Sequence, residues 1–125
     1  MSGLAGLRVL VVEDEFLIAA VLQDMLEDAT AVAIGPTATV AEALHLLQTR
    51  EVDAALVDMN LNGQWSDPVA AELKARRIPF VFTTGYGMTE RTRQFGARVV
   101  AKPYSWDELV DQLTLAIEEA RQALA

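Results

Sequence analysis

Five short apolar runs, each followed by residues at helical spacing, constrain this chain more than any other feature. The first strand, Leu7–Val12, is continuously apolar and rich in β-branched residues through "VLVV". Runs of that kind suit strands buried on both faces, as in a parallel sheet covered by helices. A helix from about Glu15 to Asp28 follows, with Ile18, Val21, Leu22 and Met25 at helical spacing. Ala31–Gly35 predicts a second strand ending at Gly-Pro, and Val40, Ala43, Leu44 and Leu47 mark a second helix. Ala54–Val57 predicts a third strand running into Asp58. The segment "NLNGQWSDP" reads as a loop, with Pro68 in the first turn of a third helix. Pro79–Thr83 predicts a fourth strand, and "MTERTRQF" a weakly amphipathic fourth helix. Arg98–Ala101 predicts a fifth strand that stops at Lys102-Pro103. Ser105 and Glu108 form a capping box that opens a last helix, with Trp106, Val110, Leu113 and Ile117 on one face.

Five strand–helix units in 125 residues predict one α/β domain with a doubly wound, five-stranded parallel sheet. Ligands of such sheets bind beyond the carboxyl ends of the strands. The first strand delivers Glu13 and Asp14 there, the third Asp58, the fourth Thr83 and Thr84, and the fifth Lys102. Three successive acids, Glu13 to Glu15, leave a buried strand, and their mutual repulsion calls for a cation. Asp14, Asp58 and Glu13 make an oxygen-rich, sulfur-free donor set that suits a hard cation, Mg²⁺ above others. Lys102 is a point charge for a phosphate or a carboxylate, and Thr84 offers a hydroxyl. Together these groups describe a phosphoryl site, in which one carboxylate could serve as the nucleophile.

Composition narrows the function classes. The chain has 18 acids and 10 bases, a net charge of −8, which disfavours direct binding to nucleic acid or anionic membrane. The charge is uneven: residues 1–73 hold 12 acids and 2 bases, and residues 74–125 hold 6 acids and 8 bases. No cysteine is present, and a single histidine, His45, gives a zinc site little to build on. No apolar run approaches a membrane span and no export signal is evident, so a cytoplasmic location is expected.

The motifs "VVEDE", "LVDMN", "FTTGYG" and "VAKPY", in this order at these strand ends, resemble the receiver domains of bacterial two-component response regulators. The resemblance spans nearly the whole chain. It implies a flavodoxin-like (βα)5 fold with strand order 2-1-3-4-5 and a receiver domain over 1–125; with the sequence ending near Ala125, soon after the fifth helix, no output domain is expected. It implies that Asp58 accepts a phosphoryl group from a phosphohistidine on a sensor histidine kinase or a histidine phosphotransfer protein. Mg²⁺ would be held by Asp14 and Asp58, by Glu13 through water, and by the backbone carbonyl of Asn60. Thr84 and Lys102 would grip the phosphoryl oxygens, and the Lys102-Pro103 bond would be cis. The fourth helix, fifth strand and fifth helix would form the downstream partner face, which can also support a homodimer.

"PFVFTTGYG" is similar to the "FATGY" subgroup, short regulators found chiefly in alphaproteobacteria, often beside kinases of the HWE type. Most receivers carry a switch aromatic where this chain has Val99, which leaves Tyr86 as the candidate to shield the phosphoryl group or replace the switch. "NLNG" lacks the proline usual after the acceptor, which places the rigidity of that loop in question. The resulting expectation is a phosphorylatable signalling module and not a turnover enzyme. Three other readings compete. A degenerate receiver would bind partners without phosphorylation. An aspartyl-phosphate phosphohydrolase would want a general acid where Asn60 stands. A flavin or nucleotide module would want a phosphate loop where "EDEF" stands.

Overall fold

A computed structural model describes residues 3–85 and 90–124. The elements run β1 (Arg8–Val12), α1 (Phe16–Asp28), β2 (Val32–Thr37), α2 (Val40–Thr49), β3 (Ala54–Asp58), β4 (Asn60–Leu61), β5 (Gln64–Trp65), α3 (Asp67–Ala75), β6 (Phe80–Thr84), α4 (Glu90–Arg93), β7 (Arg98–Ala101) and α5 (Trp106–Leu124). Five strands form one parallel sheet in the order β2-β1-β3-β6-β7. Counting only those five, the order is 2-1-3-4-5, as the resemblance implies.

Alternation of side chains across this sheet separates two cores. Leu10, Val12, Ala55, Val57, Phe80 and Phe82 face α2 and α3, where Leu47, Val69 and Leu73 meet them. Val9, Val11, Leu56, Val81 and Val100 face α1 and α5, where Leu22, Leu26, Leu109, Leu113 and Ile117 meet them. Both faces are therefore covered, and the central strands read as continuous apolar runs because every side chain on them is buried. At the amino edge Arg8 closes the foot of the sheet. Its Nε donates to Asp53 Oδ2 at 3.0 Å, and Nη1 pairs with Glu51.

Several local expectations need correction. Strand β2 does not end at Gly35-Pro36 but runs through that cis step to Thr37. It can do so because β2 is an edge strand, where proline's missing N–H is tolerated, and its register with β1 shifts between Leu10 and Val12. Gly35 is required there: its φ is +91° and a Cβ would sit 2.8 Å from the Thr37 nitrogen. The segment after Asp58 is not an irregular loop. Asn60 and Leu61 pair with Trp65 and Gln64 in a small hairpin. Its tip, Asn62 (φ +53°) and Gly63 (φ +92°), has the paired positive φ values that a two-residue Asn-Gly turn favours.

Helix α1 also turns a different face to the core. Ala19, Leu22 and Leu26 are buried, while Val21 and Met25 are exposed. Apolar residues surround this helix, so their spacing alone does not fix its rotation; Ala19 lets it approach the sheet closely. In α5 the buried line is Leu109, Leu113 and Ile117, with Trp106 and Val110 packed half-buried beside it. The Ser105 hydroxyl accepts the Glu108 N–H at 3.1 Å, half of the expected capping box. Pro68 stands in the first turn of α3. Among the described residues helix α4 spans Glu90–Arg93, and Phe95, beyond its end, meets Phe82 edge-on at 5.9 Å.

Candidate phosphoryl and metal site

The strand ends bring the chemistry together. Asp58 is the last residue of β3, Thr84 the last of β6, and Glu13 and Lys102 follow β1 and β7 directly. Parallel pairing sets their level: Asp58 lies opposite Thr83, and Thr84 opposite Ala101. Glu13, Asp58 and Thr84 are buried, and Asp14 is half-buried. One oxygen each from Glu13, Asp14 and Asp58 lies within 4.8 Å of the others. That span and an all-oxygen donor set fit a small hard cation that keeps several of its waters. Asn60, which supplies the backbone carbonyl of the implied ligand set, directly follows Met59 at the start of the hairpin.

Lys102 is the counter-charge. Its Nζ donates to Asp58 Oδ2 at 2.9 Å and to Glu13 Oε1 at 3.1 Å, and it stands 3.9 Å from Glu15 Oε1. Burial disfavours the ammonium, but the hydrogen bond and charge of Asp58, then those of Glu13, outweigh it and raise the Lys102 pKa. Glu13 moves the other way from an ordinary carboxylate. Burial, then its hydrogen bond with Asp58, pushes it up to about 7, against the Glu15 N–H and Lys102. The Tyr104 phenol is pushed up to about 12, by burial and then by the charge of Glu13.

The backbone fixes these groups from both sides. Asp58 Oδ1 accepts the Asn60 N–H at 3.1 Å, and Asn60 Oδ1 accepts the Gly63 N–H at 2.7 Å. The Ser66 N–H and hydroxyl both donate to the Met59 carbonyl, at 3.0 and 3.1 Å. The hairpin thus ties the segment after Asp58 by hydrogen bonds where the usual proline is missing. Glu13 Oε2 accepts the Glu15 N–H at 3.1 Å, and the Lys102 N–H donates to the Thr84 carbonyl at 2.7 Å. The Lys102-Pro103 peptide is cis.

Glu13, Asp14, Asp58 and Lys102 therefore meet in one cluster, and Thr84 ends the neighbouring strand β6. Val99 is half-buried among Phe80, Phe82 and Phe95, away from the carboxylates. Tyr86 lies outside the described residues. Two neighbours were given no role in the site from the sequence. Glu15, noted there only as the third of the successive acids, reaches toward Lys102, and Tyr104, the last residue of "VAKPY", turns its hydroxyl into the protein without a hydrogen-bond partner among the described residues. Beside the site, Leu17, Ile18 and Val21 of α1 and Pro103 and Tyr104 line an apolar groove of about 600 Å³.

A parallel α/β sheet carrying an acid cluster, a strand-end aspartate and a lysine at one edge is the arrangement of a receiver-type signalling module. The family model of the response regulator receiver domain matches residues 9–114, and the chain belongs to that family. Among solved structures, it is 41% identical to SdrG from Sphingomonas melonis Fr1, covering 94% of this chain and 99% of that one with a TM-score of 0.77. It is 29% identical to the signal receiver domain of a modulated diguanylate cyclase from Desulfovibrio desulfuricans G20, covering 94% and 98% with a TM-score of 0.84. A CheY-like receiver from Methanospirillum hungatei JF-1, 22% identical over 95% and 99% of the two chains, shares the fold with a TM-score of 0.84. No curated protein sequence matches the chain. Among the described residues no helix is long and apolar enough to cross a membrane.

Proposed function

We propose that the protein accepts a phosphoryl group on Asp58 from a phosphohistidine and changes its partner binding as a result. The carrying observation is the Asp58 carboxylate held between an acid cluster and the Lys102 ammonium 2.9 Å away. A carboxylate oxygen of Asp58 attacks phosphorus in line, the P–N bond to the donor histidine breaks with its electron pair going to nitrogen, and the imidazole, already protonated on its other ring nitrogen, leaves neutral. Lys102 and the Thr84 hydroxyl offset charge on the transferring oxygens. Glu13, Asp14, Asp58 and the Asn60 carbonyl would hold Mg²⁺, which neutralises phosphoryl charge when bound.

The donor, a sensor kinase or phosphotransfer protein, docks on the outward face of α1. Phe16, Leu17, Val21 and Met25 are 82%, 77%, 54% and 36% exposed there, beside the acceptor. "PFVFTTGYG" supports placement in the "FATGY" subgroup, with a kinase of the HWE type as partner. The downstream partner takes the α4–β7–α5 face, and action in the cytoplasm accords with these partners.

Intact mass after incubation with acetyl phosphate and Mg²⁺ tests the reading. One added phosphoryl group is expected in the native chain and none in Asp58→Asn or in chelator. No adduct in a chain that still binds Mg²⁺ and is also refused by phosphohistidine donors would leave the degenerate receiver as the function.

A further inference from the structure

At the amino edge of the sheet, far from Asp58, a second groove of about 540 Å³ lies between α5, the start of β7 and the α3–β6 turn. Ile78, Phe95, Ala116 and Ala120 give it an apolar lining, with small residues on the α5 wall that allow a helix to approach closely. Lys74, Arg77 and Arg98 stand around it. Arg98 is paired with Glu119 at 2.8 Å. The Lys74 ammonium donates only to the neutral Phe95 carbonyl at 2.6 Å, and Arg77 has no carboxylate partner among the described residues.

Arg77 also breaks a local rule. It follows the end of α3 at φ +59°, where the Ile78 N–H closes onto the Leu73 carbonyl at 2.9 Å. That helix-ending position favours glycine, and a long side chain there is held at a cost in backbone energy. An unpaired arginine kept in a strained conformation beside an apolar groove marks a surface that takes an acidic, amphipathic occupant.

Helix α1 of the same chain has that chemistry. It carries four exposed apolar residues, Phe16, Leu17, Val21 and Met25. The acids Asp24, Glu27 and Asp28 flank them, and the helix has no basic residue. The wider charge distribution agrees, since 12 of the 18 acids precede Lys74 and 8 of the 10 bases begin with it. We infer that α1 of one copy docks in the Lys74–Arg77 groove of a second copy. The contact is head-to-tail, so it propagates instead of closing at a dimer. The net charge of −8 on each chain opposes it, which makes the association weak and concentration-dependent. It also covers the helix face offered to the phosphoryl donor, so self-association and donor docking compete.

Sedimentation equilibrium of the full chain, from about 10 μM to about 1 mM, tests this. The weight-average mass is expected to rise past that of a dimer. Val21→Lys blocks the helix and Arg77→Glu blocks the groove; each should weaken association at least about tenfold, as loss of a buried anchor or a central charge does. Mixing these two variants should restore one contact, giving a one-to-one dimer that grows no further. Arg77→Gly relieves the backbone strain, so it should lose association while its melting temperature holds or rises. A monomer throughout, association indifferent to both substitutions, or a mixture that stays monomeric would overturn the inference.

Discussion

At the scale of single residues, the candidate site rests on what each strand end carries to one edge of the sheet. Asp14, Asp58 and Lys102 each have an innocent reading alone, as a helix cap, a turn residue or a solvated lysine. Parallel register removes that freedom by delivering all three to one edge. The protonation of Glu13 was not legible, because it depends on burial and on the distance to Asp58. Glu13 titrates near 7 in the folded chain against about 4.5 when unfolded. Between those values the folded state holds a proton that the unfolded state has lost, so stability falls as pH rises through that window. In metal-free protein, Glu13→Gln should therefore gain stability at pH 8 relative to pH 4.5, on the order of 1–2 kcal/mol after screening. Urea titrations at the two pH values check this; an equal effect at both would sink it. Lys102→Met leaves Asp58 and Glu13 without their counter-charge. It should slow phosphorylation by acetyl phosphate by roughly a hundredfold or more, the usual scale for one lost charge-stabilising donor.

Elements show where sequence reading falls short. The hairpin after Asp58 carried its own signal, since Asn-Gly between two short runs is a strong indicator of a two-residue turn. It was missed because each strand of the pair is only two residues long. The turn is required to place the Asn60 N–H on Asp58 Oδ1. Gly63 adopts φ +92° in open space, so Gly63→Ala meets backbone strain and no clash. It should cost about 1 kcal/mol or more in stability. It should also shift the Asn60 amide resonance in NMR, since that N–H is held on Asp58 by the turn. The α1 face was misread for another reason. Amphipathicity identifies the buried side of a helix only if the exposed side is polar. Here four apolar residues face outward, so spacing alone could not separate the buried side from the exposed one.

For the whole molecule, the alternation of strand and helix gave the layered architecture and the edge at which ligands bind. The strand order came through family likeness, since right-handed crossovers alone leave more than one winding of a five-stranded sheet. The same architecture couples the site to global stability, because Asp14 and Asp58 hang from two central strands of one cooperative sheet. A cation that binds the folded cluster and ignores the unfolded chain stabilises by RT ln(1 + [L]/Kd). With ligand at about ten times Kd that is about 1.4 kcal/mol, which for a domain of this size raises Tm by roughly 3–6 °C. Thermal unfolding with and without Mg²⁺ should show that rise in the native chain. Asp14→Asn should abolish most of it, while Asp24→Asn on the outer face of α1 should keep it whole. The Mg²⁺ gain should also grow as pH passes about 7, because the cation then meets an ionised Glu13 instead of displacing its proton. A Mg²⁺ effect equal in both variants and flat from pH 5 to pH 8 would place the cation elsewhere on this acidic surface, and the carboxylates at the end of β1 would need another partner.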